Sequence, residues 1–151
     1  MKEFEEKFSE LQSDMISICM EYVEDRADKV YVYASCEEGI ISGRFFYLIN
    51  NIHVKCHKVN DALGDRDERY DVSRERQFMV LRIICEDIEK VKALCKEYER
   101  DMPTEMKLIY DAHSGKFKAQ YKYDLVYTND DVKTASHIAD EWFEEVKNNN
   151  L

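Results

Sequence analysis

The sequence predicts an α+β fold, with a single antiparallel β-sheet of about five strands packed by helices in the order α-β-β-β-α-β-β-α. Three segments space their apolar residues three or four apart, as an amphipathic helix does. Five shorter segments alternate apolar and polar residues, as a strand does, and tight turns separate consecutive strands. Strands joined by tight turns pair antiparallel, and each helix has one apolar stripe to bury, so the helices are expected to pack on the sheet.

The first helix is predicted over residues 2–24. Its apolar positions fall three or four apart, and they are Phe4, Phe8, Leu11, Met15, Ile18, Cys19 and Tyr22. Acidic residues lie between them, and residues 1–28 contain nine acidic and three basic side chains. We therefore expect a helix whose solvent face is strongly negative.

Three strands are predicted next, over residues 29–36, over residues 40–49 and from Ile52 onwards. Turns are expected at residues 37–39 and at Asn50-Asn51, because asparagine tolerates the positive φ of a tight hairpin. The run from Phe45 to Ile49 indicates burial on both faces of the second strand.

Alternation assigns the side chains of the first and third strands to two faces. In the first strand Val30, Val32, Ala34 and Cys36 lie on one side, and Tyr31, Tyr33 and Ser35 on the other, where the two tyrosines are expected to be exposed. In the third strand Ile52, Val54 and Cys56 are predicted to point inward, and His53, Lys55 and His57 outward.

The middle of the chain predicts an exposed loop over residues 58–72 and then a long helix from a Ser73 cap to about Asp101. The apolar stripe of this helix is Phe78, Leu81, Cys85, Ile88, Val91, Cys95 and Tyr98. Residues 78–85 are also rich in β-formers, which leaves open an extra strand before a shorter helix that starts at Glu86-Asp87. The continuous helix is favoured.

The last third of the chain predicts a hairpin and a closing helix. Pro103 ends the long helix, and the alternating segments 105–110 and 117–123 flank a turn at residues 111–115. Within the hairpin the aromatics Phe117, Tyr121 and Tyr123 are predicted on the core face, and Lys107, Lys116, Lys118 and Lys122 on a solvated face. The closing helix is predicted over Asp130 to Val146, with Val132 on its apolar side and residues 148–151 as a frayed tail.

Composition and charge restrict the class of protein. A chain of 151 residues with 44% hydrophobic residues is suited to one core, so residues 1–151 are predicted to form a single domain. Its 32 acidic and 22 basic residues give a net charge of -10, which disfavours direct nucleic-acid or membrane binding and favours a basic partner. The acidic start of the chain is unlike a signal peptide, and no run is long enough to span a bilayer, so a cytoplasmic location is predicted.

The residues capable of chemistry do not form an active-site pattern. None of the five cysteines stands in a C-x-x-C arrangement, so free thiols are expected. Cys36 and Cys56 fall on the apolar side of their strands, where a thiol stays protonated, and on a strand Cys56 does not share a face with His53 and His57. The acidic loop segment fails the EF-hand positions. The sequence therefore predicts no catalytic residue, no metal site and no cofactor.

Several motifs resemble the YezG-like family of bacterial immunity proteins, which are antitoxins to polymorphic toxins. They are Gly115-Lys116-Phe117, Tyr121-Lys122-Tyr123-Asp124, the acidic step Asp130-Asp131, the helix bearing Trp142, and the strands Lys29-Val30-Tyr31-Val32-Tyr33-Ala34 and Phe45-Phe46-Tyr47. The chain departs from the family pattern at Met102-Pro103-Thr104, where a tryptophan is expected, and at the acidic Phe143-Glu144-Glu145 that follows Trp142. These differences indicate a divergent member.

The resemblance implies a cytoplasmic protein that binds the C-terminal domain of a secreted or contact-delivered toxin and blocks it without turnover. A nuclease toxin with a basic cleft would suit an acidic inhibitor. From the residues alone, the predicted toxin-contact residues are Asp61, Asp65, Asp67 and Glu68 in the loop, then Glu37 and Glu38 in the first turn. The two terminal helices are rival surfaces, because residues 1–28 carry a charge of about -6 and residues 130–147 about -4.

Two other classes of function are open at this point. The first is a non-catalytic adaptor or dimeric scaffold of the cytoplasm that binds proteins through exposed Tyr31 and Tyr33, and a homodimer is compatible with the sequence. The second is an enzyme that uses a thiol, which requires one accessible cysteine of low pKa. An immunity gene is expected to lie directly beside a toxin gene and an adaptor gene is not, whereas a thiol enzyme is expected to have one cysteine of low pKa that can be alkylated.

Overall fold

The computed structural model describes residues 2–151 and has the predicted class and element order. Its helices are α1 (Lys2–Tyr22), α2 (Arg74–Glu97) and α3 (Ala135–Asn149). Its strands are β1 (Lys29–Glu37), β2 (Ile40–Ile49), β3 (Ile52–Lys55), β4 (Glu105–Asp111) and β5 (Phe117–Lys122), and a 3-10 helix spans Cys56–Ala62. None of the helices in this part of the chain is long and apolar enough to cross a membrane.

The five strands form one antiparallel sheet in the order β3-β2-β1-β4-β5, with β1 at its centre. The turn between β2 and β3 is made by Asn50 and Asn51, whose φ values of 50° and 66° confirm the predicted hairpin. Strand β5 lies at one edge and pairs only with β4 among the described residues. Its backbone groups on the other side are therefore open to solvent.

One face of the sheet is covered by α1 and α2, which pack side by side. The core between them includes Met15 and Cys19 from α1, Ile84 and Ile88 from α2, and the inner side chains of β1. Helix α2 lies unusually close to β2 at Gly43, where an added Cβ would stand 2.7 Å from the Ile84 side chain. The absence of a side chain at this position is what allows the close packing.

The opposite face of the sheet is covered by α3, and this corrects the expectation that Tyr31 and Tyr33 are exposed. Both tyrosines are 0% exposed because α3 lies over them. Trp142 of α3 stands edge-on to Phe46, with ring centroids 5.0 Å apart, and edge-on to Tyr31 at 6.0 Å. The adaptor hypothesis therefore loses the exposed aromatic surface on which it depends.

Helix α2 is continuous through residues 78–85, which decides against the extra strand. Ser73 caps it as predicted, with the Ser73 hydroxyl accepting a hydrogen bond from the Arg76 backbone N–H at 3.3 Å. The predicted stripe was wrong at its start, because Phe78 is 63% exposed while Val80 and Ile84 are buried. Several apolar residues in a row left the phase of the stripe ambiguous, and contact with β2 determines which of them are buried.

The third strand is shorter than predicted. Val54 faces the α1–α2 core as predicted, but the opposite face, predicted to be exposed, is covered by α3. The strand ends at Lys55, and its pairing with β2 places His53 opposite Leu48 on the α3 side of the sheet. His53 is consequently buried and Ile52 is exposed. His57 lies in the 3-10 helix and so does not share a strand face with His53. Within the predicted loop, Val59, Ala62 and Tyr70 are buried, so only part of the segment is solvated.

The C-terminal elements also differ in detail from the prediction. Helix α3 begins at Ala135 instead of Asp130, because the Asp130 carboxylate accepts hydrogen bonds from the backbone N–H groups of Val132 and Lys133 in a turn. Val132 is therefore 76% exposed. The helix continues to Asn149, so the predicted tail is shorter. The aromatics of the hairpin, Phe117, Tyr121 and Tyr123, are more than one-third exposed, because β5 is an edge strand that α1 covers only in part.

Candidate functional site

The predicted contact residues of the loop, Asp61, Asp65, Asp67 and Glu68, are all exposed on one segment, here called the acidic loop. The loop is attached to the body of the protein, because Asn60 exchanges hydrogen bonds with the Tyr70 backbone and Arg26 donates to the Glu68 carbonyl at 2.8 Å. The Asp67 carboxylate accepts from the Gly64 backbone N–H at 2.7 Å. The carboxylates of the other three residues have no partner within residues 2–151.

The second predicted group, Glu37 and Glu38, lies far from the acidic loop. Asn50 donates to the Ala62 carbonyl at 2.8 Å, which places the end of the 3-10 helix beside the β2–β3 turn. Glu38 lies in the turn at the other end of β2. Since β2 has 10 residues, the two positions are separated by about 30 Å along the strand. The six predicted residues therefore do not form one site.

Glu37 is not available at the surface, which corrects its assignment as a contact residue. It is 1% exposed and accepts hydrogen bonds from the backbone N–H groups of Val126, Tyr127 and Thr128 at 2.9–3.3 Å. The Thr128 hydroxyl donates a fourth hydrogen bond at 2.6 Å. Burial raises its pKa, but these hydrogen bonds outweigh burial and hold the pKa of Glu37 below its usual range. Its carboxylate fastens the β5–α3 connection to the end of β1.

Acidic residues on α1 form the most extended charged surface. The exposed ones are Glu3, Glu5, Glu6, Glu10, Asp14 and Glu21. Among the described residues only Glu3 has an ion-pair partner in this set, Lys7 at 3.2 Å. We call these six residues the α1 acidic face. Because most of its carboxylates are not neutralised, it supplies a negative field toward solvent.

The acidic residues of α3 are more strongly neutralised. Asp140 pairs with Lys55 and Glu141 with Lys133, both at 2.9 Å. Glu144 and Glu145 remain exposed without a partner in the part of the chain that the structure describes. Since α1 and α3 lie on opposite faces of the sheet, the protein has two separate acidic faces, of which that on α1 is the larger.

The predicted lysine row lies on the α3 side of the sheet. Lys118 and Lys122 share that side with Lys107, according to the strand register. Lys107 lies 5.6 Å from the centre of the Trp142 ring, and Lys122 lies 3.8 Å from the buried carboxylate of Glu105. Lys107 and Lys122 therefore contribute to the packing of the hairpin and of α3, whereas Lys116 and Lys118 are exposed to solvent.

A cleft between α1 and α2 contains a feature that sequence analysis missed. Asp87 of α2 is only 2% exposed, and its Oδ2 has no hydrogen-bond partner in the described residues. Asp87 and Asp14 line this α1–α2 cleft, which has a volume of about 490 Å³. Burial, followed by hydrogen bonding and charge repulsion from Asp14, raises the pKa of Asp87 to about 7. A polar residue within the buried stripe, between Ile84 and Val91, is the signal that could have revealed it.

The thiols and histidines show no arrangement for catalysis in the described residues. All five cysteines are free, and burial raises the pKa of each of them. Thiols of raised pKa are poor nucleophiles at neutral pH. Burial also lowers the pKa of His53, together with the nearby charges of Lys29 and Lys147. No group of three or more metal-ligating side chains occurs within residues 2–151.

Comparison with known proteins identifies one relevant family. A family model described as "Immunity protein YezG-like" matches residues 3–144, which is nearly the whole chain. The match includes α1, the whole sheet, α2 and most of α3. No curated protein matches the chain significantly.

Proposed function

Because the chain belongs to the YezG-like immunity protein family, we propose that it binds a cognate toxin domain and neutralises it by stoichiometric protein–protein binding. The observation that carries this proposal is the family match over residues 3–144. The toxin is the C-terminal domain of a polymorphic, secreted or contact-delivered protein, and the inhibitor acts in the cytoplasm of the cell that makes it. The protonated thiols support a role without turnover.

The charge distribution favours a basic toxin surface. The net charge is -10, and the α1 acidic face carries carboxylates that are largely unpaired within the described residues. Opposite charges accelerate association and make it sensitive to salt. A nuclease fits this description, because its cleft must be basic to hold a phosphate backbone. An acidic inhibitor would compete with the nucleic acid for this basic cleft.

Co-expression tests the proposed function directly. The toxin domain encoded by the adjacent gene should arrest growth when it is expressed alone, and expression of this chain should restore growth. The two proteins should also co-purify in a fixed ratio. Continued arrest together with failure to co-purify would overturn the proposed function.

Charge reversal can distinguish a direct contact between the acidic loop and the toxin from the effect of the protein's overall negative charge. The pair Asp61→Lys and Asp65→Lys is chosen because both carboxylates are exposed and neither holds the loop together. If the loop contacts the toxin, we expect affinity to fall by about tenfold at low salt and the salt dependence to become shallower. Titration calorimetry at several salt concentrations measures both quantities.

The matched control for this test is the pair Glu144→Lys and Glu145→Lys on α3. It changes the net charge by the same amount but lies on α3, across the sheet from the core on which the acidic loop packs through Ala62 and Tyr70. A similar loss of affinity in both double variants would mean that the loop contributes only to the net charge and lies outside the interface.

A further inference from the structure

The buried carboxyl group of Asp87 is only partly satisfied within the chain, because hydrogen bonding with Asp14 contributes to its raised pKa while its Oδ2 has no partner within residues 2–151. A buried polar atom without a hydrogen-bond partner destabilises the folded state, and a buried charge does so more strongly. The cationic residues that line the same cleft are Lys7 on α1 and Lys90 on α2. Lys7 pairs with Glu3, and no ion pair joins Lys90 to Asp87 in residues 2–151. The unpartnered Oδ2 of Asp87 therefore indicates a partner from outside.

The charges that face Asp87 come from both helices of the cleft. Helix α1 contributes Lys7, Glu10 and Asp14, and α2 contributes Glu86, Lys90 and Glu97. With Asp87 these are five carboxylates against two amines, so the α1–α2 cleft favours a cation. A metal ion is not the expected cation, because the described residues contain no group of three or more acidic, histidine or cysteine side chains that could hold one.

The shape and lining of the cleft suit a long side chain with a charged end. Leu11, Ala93 and Leu94 give the cleft an apolar part, next to the acidic part formed by Asp14 and Asp87. An arginine has a methylene stem that packs on apolar residues and a planar guanidinium whose several donors can meet two carboxylates at once. A lysine has a single charged point and matches a carboxylate pair less well.

We propose that the α1–α2 cleft receives an arginine side chain of the toxin domain, whose guanidinium pairs with the carboxylates of Asp14 and Asp87. This inference rests on the proposed function and names the place where the acidic surface makes a specific contact. Arginine is enriched among the few residues that dominate binding energy at interfaces. The field of the α1 acidic face attracts the partner, and the cleft fixes its position.

The binding should depend on pH through Asp87. In the free protein burial and Asp14 raise the pKa of Asp87 to about 7, whereas a bound guanidinium favours the ionised carboxylate. Affinity therefore increases as pH rises and Asp87 loses its proton. We expect the Kd of the wild-type protein to fall by about tenfold from pH 6 to pH 8, with release of up to about one proton per complex near pH 6.

The test uses the full chain, the toxin domain encoded by the adjacent gene and titration calorimetry in buffers of different ionisation enthalpy. Asp87→Asn keeps the shape of the side chain and removes its charge. We expect it to weaken binding by about 30-fold or more at pH 8 and to abolish the difference between pH 6 and pH 8. The control Glu89→Gln removes one charge from an exposed position of the same helix and should change the Kd by only a few-fold.

Thermal unfolding of the free variants gives a second readout. The pKa of Asp87 is higher in the folded protein than in the unfolded chain, so its ionisation at neutral and higher pH lowers the free energy of unfolding. Asp87→Asn removes this ionisation and should be at least as stable as the wild type at pH 8. Equal or higher stability combined with weaker binding supports a binding role, because a purely structural residue would not produce that combination.

The outcomes distinguish the two proposals. If the wild type binds the toxin domain and Asp87→Asn binds equally well with the same pH dependence, the cleft is not the arginine site and the proposed function stands. If a scan of the toxin arginines finds none whose loss is non-additive with Asp87→Asn, the cleft proposal is also overturned. If the wild type does not bind the toxin domain at all, both proposals fail.

Discussion

Replacing Trp142 with alanine should lower the free energy of unfolding by about 3–5 kcal/mol, which is the usual range for removing a large buried aromatic side chain. Trp142 is only 5% exposed, and its ring packs edge-on against Phe46 and Tyr31. These contacts attach α3 to the sheet, so their loss should expose Tyr31 and Tyr33. Urea unfolding followed by far-UV circular dichroism measures the change, since the variant lacks the single tryptophan of the chain.

The control for this variant is Phe78→Ala, which removes an aromatic ring that is 63% exposed on α2. We expect this change to cost less than about 1 kcal/mol, because an exposed side chain loses little packing. Equal effects of the two substitutions would contradict the docking of α3 on the sheet.

Replacing Glu37 with alanine is expected to lower the free energy of unfolding by about 3 kcal/mol, because it removes four hydrogen bonds to a charged acceptor and leaves their partly buried donors without it. Those donors are the Val126, Tyr127 and Thr128 backbone N–H groups and the Thr128 hydroxyl. The neighbouring exposed residue Glu38 supplies the control, since Glu38→Ala removes the same charged group from the solvated turn. Denaturant unfolding at neutral pH compares the two, and a smaller loss in Glu37→Ala than in Glu38→Ala would refute this role.

The contribution of Glu37 should also depend on pH in a defined direction. Its pKa is lower in the folded protein than its ordinary value of 4.5, because hydrogen bonds favour the ionised form. The stabilisation is therefore fully present above that ordinary value and is lost as pH falls through the folded pKa. Unfolding measured from pH 6 downward should show this loss in the wild type. In Glu37→Gln the corresponding acid-dependent component should be absent.

The elements of the fold were predictable because each depends on local periodicity. The alternation in β1 and the capping of α2 by Ser73 are properties of short segments, and both are present in the structure. Local periodicity could not predict that helices cover both faces of the sheet. Strand β1 has apolar residues on one side and tyrosines on the other, a pattern compatible with a sheet covered by helices on one face or on both. In the structure α3 packs on the tyrosines, so both faces are covered.

The two carboxylates with the largest structural consequences were missed for different reasons. Glu37 lies in a charged turn sequence, and its hydrogen-bond donors lie about 90 residues further along the chain, where no local pattern connects them. Asp87 lies within the apolar stripe of α2, so the correct phase of that stripe would have indicated its burial. The exposure of the four acidic loop residues and the negative face of α1 were predicted, because local charge and the spacing of apolar residues indicate which side chains face solvent.

The lysines of β5 have a consequence for how the protein behaves at high concentration. The outer edge of β5 is unpaired among the described residues, and such an edge is a template on which another molecule can extend the sheet. Antiparallel pairing of two copies through this edge would place Lys118 and Lys122 of both molecules on one surface. The mutual repulsion of these lysines opposes this route to aggregation.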